Sequence, residues 1–125
     1  MVDTIGLVLY LEKRRMSTKL QSIFTAAEHG EAGIIVPAMV FAEVLYLSEK
    51  GRITVNLDQF DEFLSRHPTS REYPMTLGVV QTAGEITDIP ELHDRLIAAT
   101  ARLLELDLIT NDGVIQKSVF VRTVW

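Results

Sequence analysis

The stretch GIIVPAMVFAEVLYL, residues 33–47, decides the fold, because a strand, a helix boundary and a helix follow one another directly in it. Residues 33–36 are apolar and rich in β-branched side chains, which predicts a short buried strand. Pro37 stands where a helix tolerates proline best, in its first turn. The predicted helix runs to about Lys50 and ends at Gly51. A buried strand that leads straight into a helix is the repeating unit of α/β proteins.

The rest of the chain continues this alternation of helices and short apolar strands. Helices are predicted at residues 5–12, 17–30, 57–66, 76–86 and 91–106, and strands around residue 2 and at 71–75, 108–110 and 119–125. Apolar strands without polar alternation, separated by helices, predict a parallel sheet covered on both faces. We therefore expect an α/β fold, a three-layer sandwich with a central parallel sheet, in a single domain of residues 1–125.

The composition excludes several classes of protein. The 125 residues include no cysteine, so a disulfide framework, a thiolate metal site and a cysteine nucleophile are excluded. This is compatible with a reducing cytoplasm, where we expect the protein to work. No apolar run could span a bilayer and no signal peptide is recognisable, so we expect no membrane contact. The net charge of −5 argues against binding nucleic acid by bulk charge, although residues 13–19 and 50–52 form two basic patches that solvated helix ends would also explain.

Glu43 is the single most informative residue. It lies in a helix that is apolar nearly all the way round, which predicts that most of this helix is buried. A carboxylate on the same stripe as Val40 and Val44 is costly to bury without a metal, a positive partner or a raised pKa. A salt bridge to an arginine elsewhere, or a side chain that reaches solvent, would explain Glu43 equally well.

Asp3, Asp94 and Asp112 each have an ordinary structural explanation when taken singly. Asp3 follows the predicted first strand and could simply cap the next helix. Asp94 falls in the first turn of a helix, where a negative charge suits the helix dipole. Asp112 precedes Gly113, and Asp-Gly is a strong turn signal. Only two residues precede Asp3, fewer than a central strand usually has, which leaves open a native start upstream.

Taken together, the four acidic residues predict a metal site. Asp3 and Asp112 directly follow predicted strands, Asp94 opens a helix at the same edge, and Glu43 lies one to two turns into another helix. Ligands of open α/β sheets bind at the carboxyl ends of the strands. Four carboxylates close together repel one another unless a cation holds them, and ligands that are all oxygen favour Mg²⁺ or Mn²⁺.

Several short motifs also resemble, in their order along the chain, those of a known family. They are Val2-Asp3-Thr4, Val36-Pro37-Ala38 with Ala42-Glu43, Glu49-Lys50-Gly51-Arg52, residues 93–101, and Leu108-Ile109-Thr110-Asn111-Asp112. Asp94 and Asp112 are 112 − 94 = 18 positions apart, as in the family pattern. Over essentially its whole length the chain resembles the PIN domain, and within it the VapC-like toxins of bacterial and archaeal toxin–antitoxin pairs.

The resemblance implies a function as well as a fold. It implies endonucleolytic cleavage of single-stranded RNA with Mg²⁺ or Mn²⁺, and by position it makes Asp3, Glu43, Asp94 and Asp112 the catalytic metal ligands. Thr110 matches the threonine or serine that supports the last aspartate in the family. A homodimer and a cognate antitoxin protein are the partners that the resemblance implies, besides the RNA substrate.

Two other readings of the sequence compete with this one. The first is a catalytically silent PIN-like module that only binds RNA or protein, although such a module tends to lose a ligand and this chain has the complete acidic set. The second is a phosphate-handling α/β protein such as a receiver domain or an aspartyl phosphatase. A receiver needs paired acidic residues after its first strand and a phosphatase needs Asp-x-Asp, and Asp3-Thr4-Ile5 provides neither.

Overall fold

A computed structural model describes residues 1–125 and shows six α-helices and four short strands. The helices are α1 (Thr4–Leu11), α2 (Thr18–Glu28), α3 (Ala38–Glu49), α4 (Leu57–Arg66), α5 (Leu77–Glu85) and α6 (Leu92–Leu103), and the strands are β1 (Ile35–Pro37), β2 (Arg71–Tyr73), β3 (Leu108–Ile109) and β4 (Thr123–Val124). Their order along the chain matches the prediction, except that the strand predicted around residue 2 is only an isolated bridge at Val2. The last predicted strand is shorter than expected, and a 3₁₀-helix at Ile115–Lys117, which was not predicted, precedes it.

All the strand pairs are parallel, which confirms the predicted α/β fold. β1 pairs with β2 and β3 pairs with β4, so the strands form two small sheets rather than one continuous sheet. The N-terminal segment lies between them. Val2 donates its backbone N–H to the carbonyl of Ile35 at 3.1 Å and forms a parallel bridge with Ile109. The strands are therefore arranged side by side in the order β2, β1, N-terminal segment, β3, β4.

This strand order creates a crevice at the carboxyl edge of the sheet. After the N-terminal segment the chain leads to β1 on one side, whereas after β3 it leads to β4 on the other side. Ligands of open α/β sheets bind where the connections diverge in this way. Asp3 and Asp112 follow the two segments that border this crevice.

Polar N-caps explain where several helices begin. Ser17 caps α2 and Thr76 caps α5, each accepting a backbone N–H with its side chain. Asn56 caps α4 and forms a capping box with Gln59, in which each side chain bonds the other residue's backbone. These local signals are in the sequence, so the predicted starts of all three helices are confirmed.

The helix α3 differs from its prediction. Only Val40 and Val44 are buried in it, whereas the side chains of Leu45 and Tyr46 are exposed to 46% and 54%. The expectation that most of this helix is buried was therefore wrong. An apolar sequence shows that every face of a helix can be buried. It does not show that other parts of the same chain bury every face. None of the helices is long and apolar enough to cross a membrane.

Candidate active site

Asp3 lies at the junction of the N-terminal segment and α1. It is only 5% exposed, and its backbone N–H donates to the carbonyl of Ile109 at 3.0 Å. Its Oδ1 accepts the backbone N–H of Gly6 at 2.7 Å, so Asp3 is also the N-cap of α1. A Cβ atom at Gly6 would lie 2.9 Å from Val2 Cγ2 and 3.2 Å from Asp3 Oδ1. The absence of a side chain at this glycine therefore lets α1 start directly against the strands.

Thr110 and Asp112 hold the other side of the crevice. Thr110 is fully buried, and its hydroxyl bonds the Asp3 side chain and accepts the backbone N–H of Asp112 at 3.0 Å. Asp112 Oδ1 accepts the backbone N–H groups of Val114 and Ile115 at 2.8 and 3.0 Å. One oxygen of Asp112 thus fixes the turn after β3, and the hydroxyl of Thr110 connects this turn to Asp3.

Glu43 lies on α3 and faces both α1 and α6. Its Oε2 accepts a hydrogen bond from the Thr4 hydroxyl, and its Oε1 lies 3.8 Å from Nδ1 of His93. The side chain is 21% exposed and contacts no arginine. The carboxylate therefore reaches solvent in part, which was one of the ordinary explanations for its place in an apolar helix.

Asp94 is the least restrained of the four acidic residues. It lies in the first turn of α6, where its backbone N–H donates to Glu91 Oε2 at 2.9 Å. Glu91 is the N-cap of the helix, so Asp94 does not serve as a cap itself. The side chain is half-buried, and its carboxylate accepts no hydrogen bond from the protein. Asp94 is thus free to turn toward a ligand without breaking a contact.

Two of these carboxyl groups have raised pKa values. Burial raises the pKa of Asp3 from 3.8 to about 6, against the lowering effect of its bonds to Thr110 and Gly6. Burial also raises the pKa of Asp94 to about 6, and the charges of Asp112 and other nearby acidic groups add to this. Each carboxyl group therefore resists ionisation because the surroundings are apolar and already negative. A bound cation would offset that cost.

All four acidic residues line one cavity of about 530 Å³. Its other polar lining residues are Thr4, His93 and Asn111, and its apolar lining residues are Ile5, Met39, Ala42, Tyr46, Leu47, Ile97 and Ile115. Thr110 does not line the cavity but supports two residues that do. Thr4 carries no signal in the sequence, because its contact with Glu43 depends on how α1 packs against α3. His93 also lines the cavity, with its Nδ1 3.8 Å from Oε1 of Glu43.

The donor atoms suit a hard divalent cation in their chemistry, because all four predicted ligands provide carboxylate oxygens. Their present spacing is wider than a metal site, since no three acidic or histidine side chains stand close enough to hold one ion. Asp94 has no hydrogen bond to lose, and Glu43 is held at its carboxylate only by Thr4 and His93. The side chains of Asp94 and Glu43 are therefore the ones that would move to complete a coordination sphere.

The fold and the acidic cavity place this chain in a defined class, that of α/β proteins with a carboxylate cluster at the point where the strand connections diverge. The family model of the PIN domain matches residues 1–119. The chain therefore belongs to the PIN-domain family, as its sequence motifs predicted.

Two solved structures illustrate the similarity of the fold to known proteins. The first is "Crystal structure of VapBC2 from Rickettsia felis bound to a DNA fragment from their promoter", with a TM-score of 0.75 and 21% identity, covering 100% of this chain and 97% of that one. The second is "Crystal structure of DNA bound VapBC from Salmonella typhimurium", with a TM-score of 0.70 and 18% identity, covering 99% and 95%. At these identities the likeness establishes the fold. No curated protein matches the sequence.

Proposed function

We propose that this protein is a metal-dependent endoribonuclease that hydrolyses phosphodiester bonds of single-stranded RNA. The observation that carries this proposal is the convergence of Asp3, Glu43, Asp94 and Asp112 on one cavity. The raised pKa values of Asp3 and Asp94 support it, because perturbed carboxyl groups in a cleft are typical of functional sites. Membership of the PIN-domain family supports a nuclease in general.

The four carboxylates would hold Mg²⁺ or Mn²⁺, which when bound lowers the pKa of a water molecule and neutralises charge on the phosphate. Asp3 and Asp112 provide a fixed side of the site, because hydrogen bonds to the backbone and to Thr110 restrain both. Asp94 provides a movable side chain. Glu43, oriented by Thr4 and close to His93, would complete the site or orient the attacking water.

Thr110 acts through its neighbours in this scheme. Its buried hydroxyl bonds Asp3 and accepts the N–H of Asp112, so it holds the residues that follow two adjacent strands at a fixed separation. Its bond to Asp3 also favours the ionised carboxylate, which is the form that binds a cation. Thr110 is therefore a positioning residue.

We further infer that the protein is the toxin of a toxin–antitoxin pair in the cytoplasm. The similar fold of the VapBC structures supports this role and favours a cognate antitoxin protein as partner. The exposed apolar side chains Leu77 and Val80 on α5 favour burial against another protein surface, and a homodimer is the arrangement we propose. The competing proposal of a silent binding module is less favoured, because no member of the acidic set is missing.

The proposal is tested by incubating the protein with structured and unstructured RNA in the presence of Mg²⁺, Mn²⁺ or EDTA. Cleavage of the unstructured RNA with metal, and none with EDTA, is the expected result. Asp94→Asn and Asp112→Asn, checked for folding by circular dichroism, are expected to cut at background rates. The enzyme proposal fails if the wild type shows no metal-dependent cleavage, or if both variants cut as well as it does.

A further inference from the structure

We propose that Tyr46 and Lys50 form a nucleobase-binding subsite that holds the RNA beside the acidic centre. This inference rests on the proposed ribonuclease function and deepens it. Tyr46 lines the same cavity as the four acidic residues, yet 54% of its side chain is exposed. Lys50 places its Nζ 5.6 Å from the centre of the Tyr46 ring. An exposed ring next to a cation, at the wall of an acidic cavity, is suited to a base and its phosphate.

The position of Tyr46 on α3 sets its distance from the chemistry. Glu43 and Tyr46 are three residues apart, and Tyr46 and Lys50 are four apart, so each is a neighbour of the next on one face of the helix. At a rise of 1.5 Å per residue, the seven steps from Glu43 to Lys50 span about 10 Å. The carboxylate, the aromatic ring and the ammonium therefore follow one another along a single track that leads away from the acidic end.

The apolar walls of the cavity explain why a base would bind there. Met39, Ala42 and Leu47 lie on the same helix as Tyr46, and Ile5 faces them from α1. Covering these apolar side chains with a flat apolar partner is favourable, because it removes apolar surface from water. A nucleobase has an apolar face, and stacking on aromatic rings is how proteins hold single-stranded bases without depending on their sequence.

Charge complementarity favours RNA over an uncharged apolar partner. Glu12 Oε1 accepts the backbone N–H and the hydroxyl of Thr54 at 2.7 and 2.8 Å, which connects the end of α1 to the loop after α3. Two basic segments that are far apart in sequence, residues 13–15 and 50–52, flank the two ends of this contact, and Arg14 pairs with Glu12 itself at 3.5 Å. Lys50 is the C-cap of α3, one turn beyond the aromatic ring, so a strand that left the acidic centre along this helix would bring a phosphate to its ammonium.

The experiment combines protein variants with a modified RNA. The substrate is a labelled, unstructured oligoribonucleotide selected for cleavage from a random-sequence pool, and a second version carries an abasic residue next to the cleavage site. The variants are Tyr46→Ala and Tyr46→Phe, with Leu45→Ala as the matched control. Leu45 is the next residue on the same helix and is 46% exposed, but it does not line the cavity.

Tyr46→Ala is expected to raise KM about tenfold with little change in kcat, which corresponds to the loss of one stacked base. Tyr46→Phe keeps the ring and is expected to match the wild type, as is Leu45→Ala. With the wild-type protein, the abasic RNA is expected to raise KM by the same factor of about ten. With Tyr46→Ala it is expected to raise KM no further, because the two changes remove the same interaction. Lys50→Gln is expected to reduce the slope of log binding constant against log salt by about 0.7, the value for one phosphate contact on a single strand.

Equal KM values for the wild type and Tyr46→Ala would overturn the subsite while leaving the ribonuclease proposal intact. The subsite would also be overturned if the increases in KM caused by Tyr46→Ala and by the abasic residue multiply when they are combined. The ring would then contact something other than that base. If the wild type cuts no RNA, the ribonuclease proposal fails separately. The subsite is then decided by fluorescence anisotropy with the labelled random-sequence pool, where equal affinities of wild type and Tyr46→Ala refute it and about tenfold weaker binding by the variant supports it.

Discussion

Asp3 and Asp94 face the same cavity and share a pKa of about 6, but the protein treats them differently. Asp3 is almost completely buried, caps α1 and bonds both Gly6 and Thr110. Asp94 is half-buried and its carboxylate accepts no hydrogen bond. One acidic group is therefore part of the framework of the fold, whereas the other is only placed at the cavity by the first turn of α6.

This contrast shows that a shared pKa can have different consequences for stability and for binding. Ionising Asp3 puts a charge into the interior at the junction of three structural elements, so the cost is borne by the whole fold. Ionising Asp94 places a charge where solvent can screen it and where the side chain can rotate. In the proposed metal site, Asp3 would connect metal binding to folding, and Asp94 would be an adaptable ligand.

The largest expected effect is one that does not distinguish the two residues. Asp3→Asn and Asp94→Asn are each expected to lower the rate of the proposed metal-dependent RNA cleavage about a thousandfold, because each removes a proposed charged metal ligand worth several kcal/mol in the transition state. Single-turnover cleavage with saturating Mn²⁺ measures this. A residual rate within tenfold of the wild type for either variant would remove that residue from the metal site.

In the absence of metal, Asp3 and Asp94 are expected to affect the free energy of unfolding differently. The pKa of Asp3 is about 6 in the folded protein and ordinarily 3.8. Between these two pH values, the folded state therefore holds a proton that the unfolded chain has lost. The free energy of unfolding therefore falls as the pH rises from about 4 to about 6, and the loss from Asp3 alone is about 3 kcal/mol above that range.

Asp3→Asn keeps a capping side chain without the charge. It is expected to stabilise the protein at pH 8 by up to about 3 kcal/mol and to have little effect at pH 4, where Asp3 is protonated in the folded state. Asp94→Asn is expected to stabilise less at pH 8 because its site is more exposed. Urea denaturation in EDTA at both pH values measures these differences, and a pH-independent effect of Asp3→Asn would contradict the buried charge.

Metal binding is expected to restore the stability that the acidic residues remove. A cation present at one hundred times its dissociation constant stabilises the folded state by about 2.7 kcal/mol. The gain is expected to be larger at pH 8 than at pH 5, since the carboxylates must be ionised to bind. Thermal denaturation with Mg²⁺ or Mn²⁺, compared with NaCl at equal ionic strength, measures it. An equal gain in Asp112→Asn would place the bound ion elsewhere.

The smallest expected effect concerns Thr110, which supports Asp3 and has no counterpart beside Asp94. Thr110→Val removes the hydroxyl that favours the ionised form of Asp3, so the pKa of Asp3 rises and cleavage requires a higher pH. A rate loss of about tenfold near neutral pH is expected, the size of one hydrogen bond to a charged group. Thr110→Ser is expected to restore both rate and pH profile. A tenfold loss without a shifted profile would point to packing alone.

Local signals in the sequence predicted much of this fold. Ser17, Asn56 and Thr76 mark helix starts because each cap bonds the backbone of its own helix. The gathering of the four acidic residues could be predicted as well, since the ends of parallel strands meet at one edge. The caps depend only on local contacts, and the gathering of the acidic residues follows from the general arrangement of a parallel sheet.

What the sequence did not reveal depends on contacts between distant elements. Thr4 meets Glu43 only because α1 packs beside α3, and the pairing is not written in either segment. The exposure of Leu45 and Tyr46 was mispredicted, because hydrophobicity does not state what covers a helix. The wide spacing of the carboxylates depends on side-chain positions in the folded protein, which no sequence pattern contains.

The close packing around Gly6 has a genetic consequence. A methyl group there would press on Val2, Asp3 and Ile109 together, so a single substitution would disturb the strand junction and the acidic cavity at once. Position 6 is therefore where we expect conditional alleles to arise, since a variant with alanine there can fold and act in the cold but fail on warming. For a protein whose activity we propose to be toxic, that glycine would be a natural target of escape mutations.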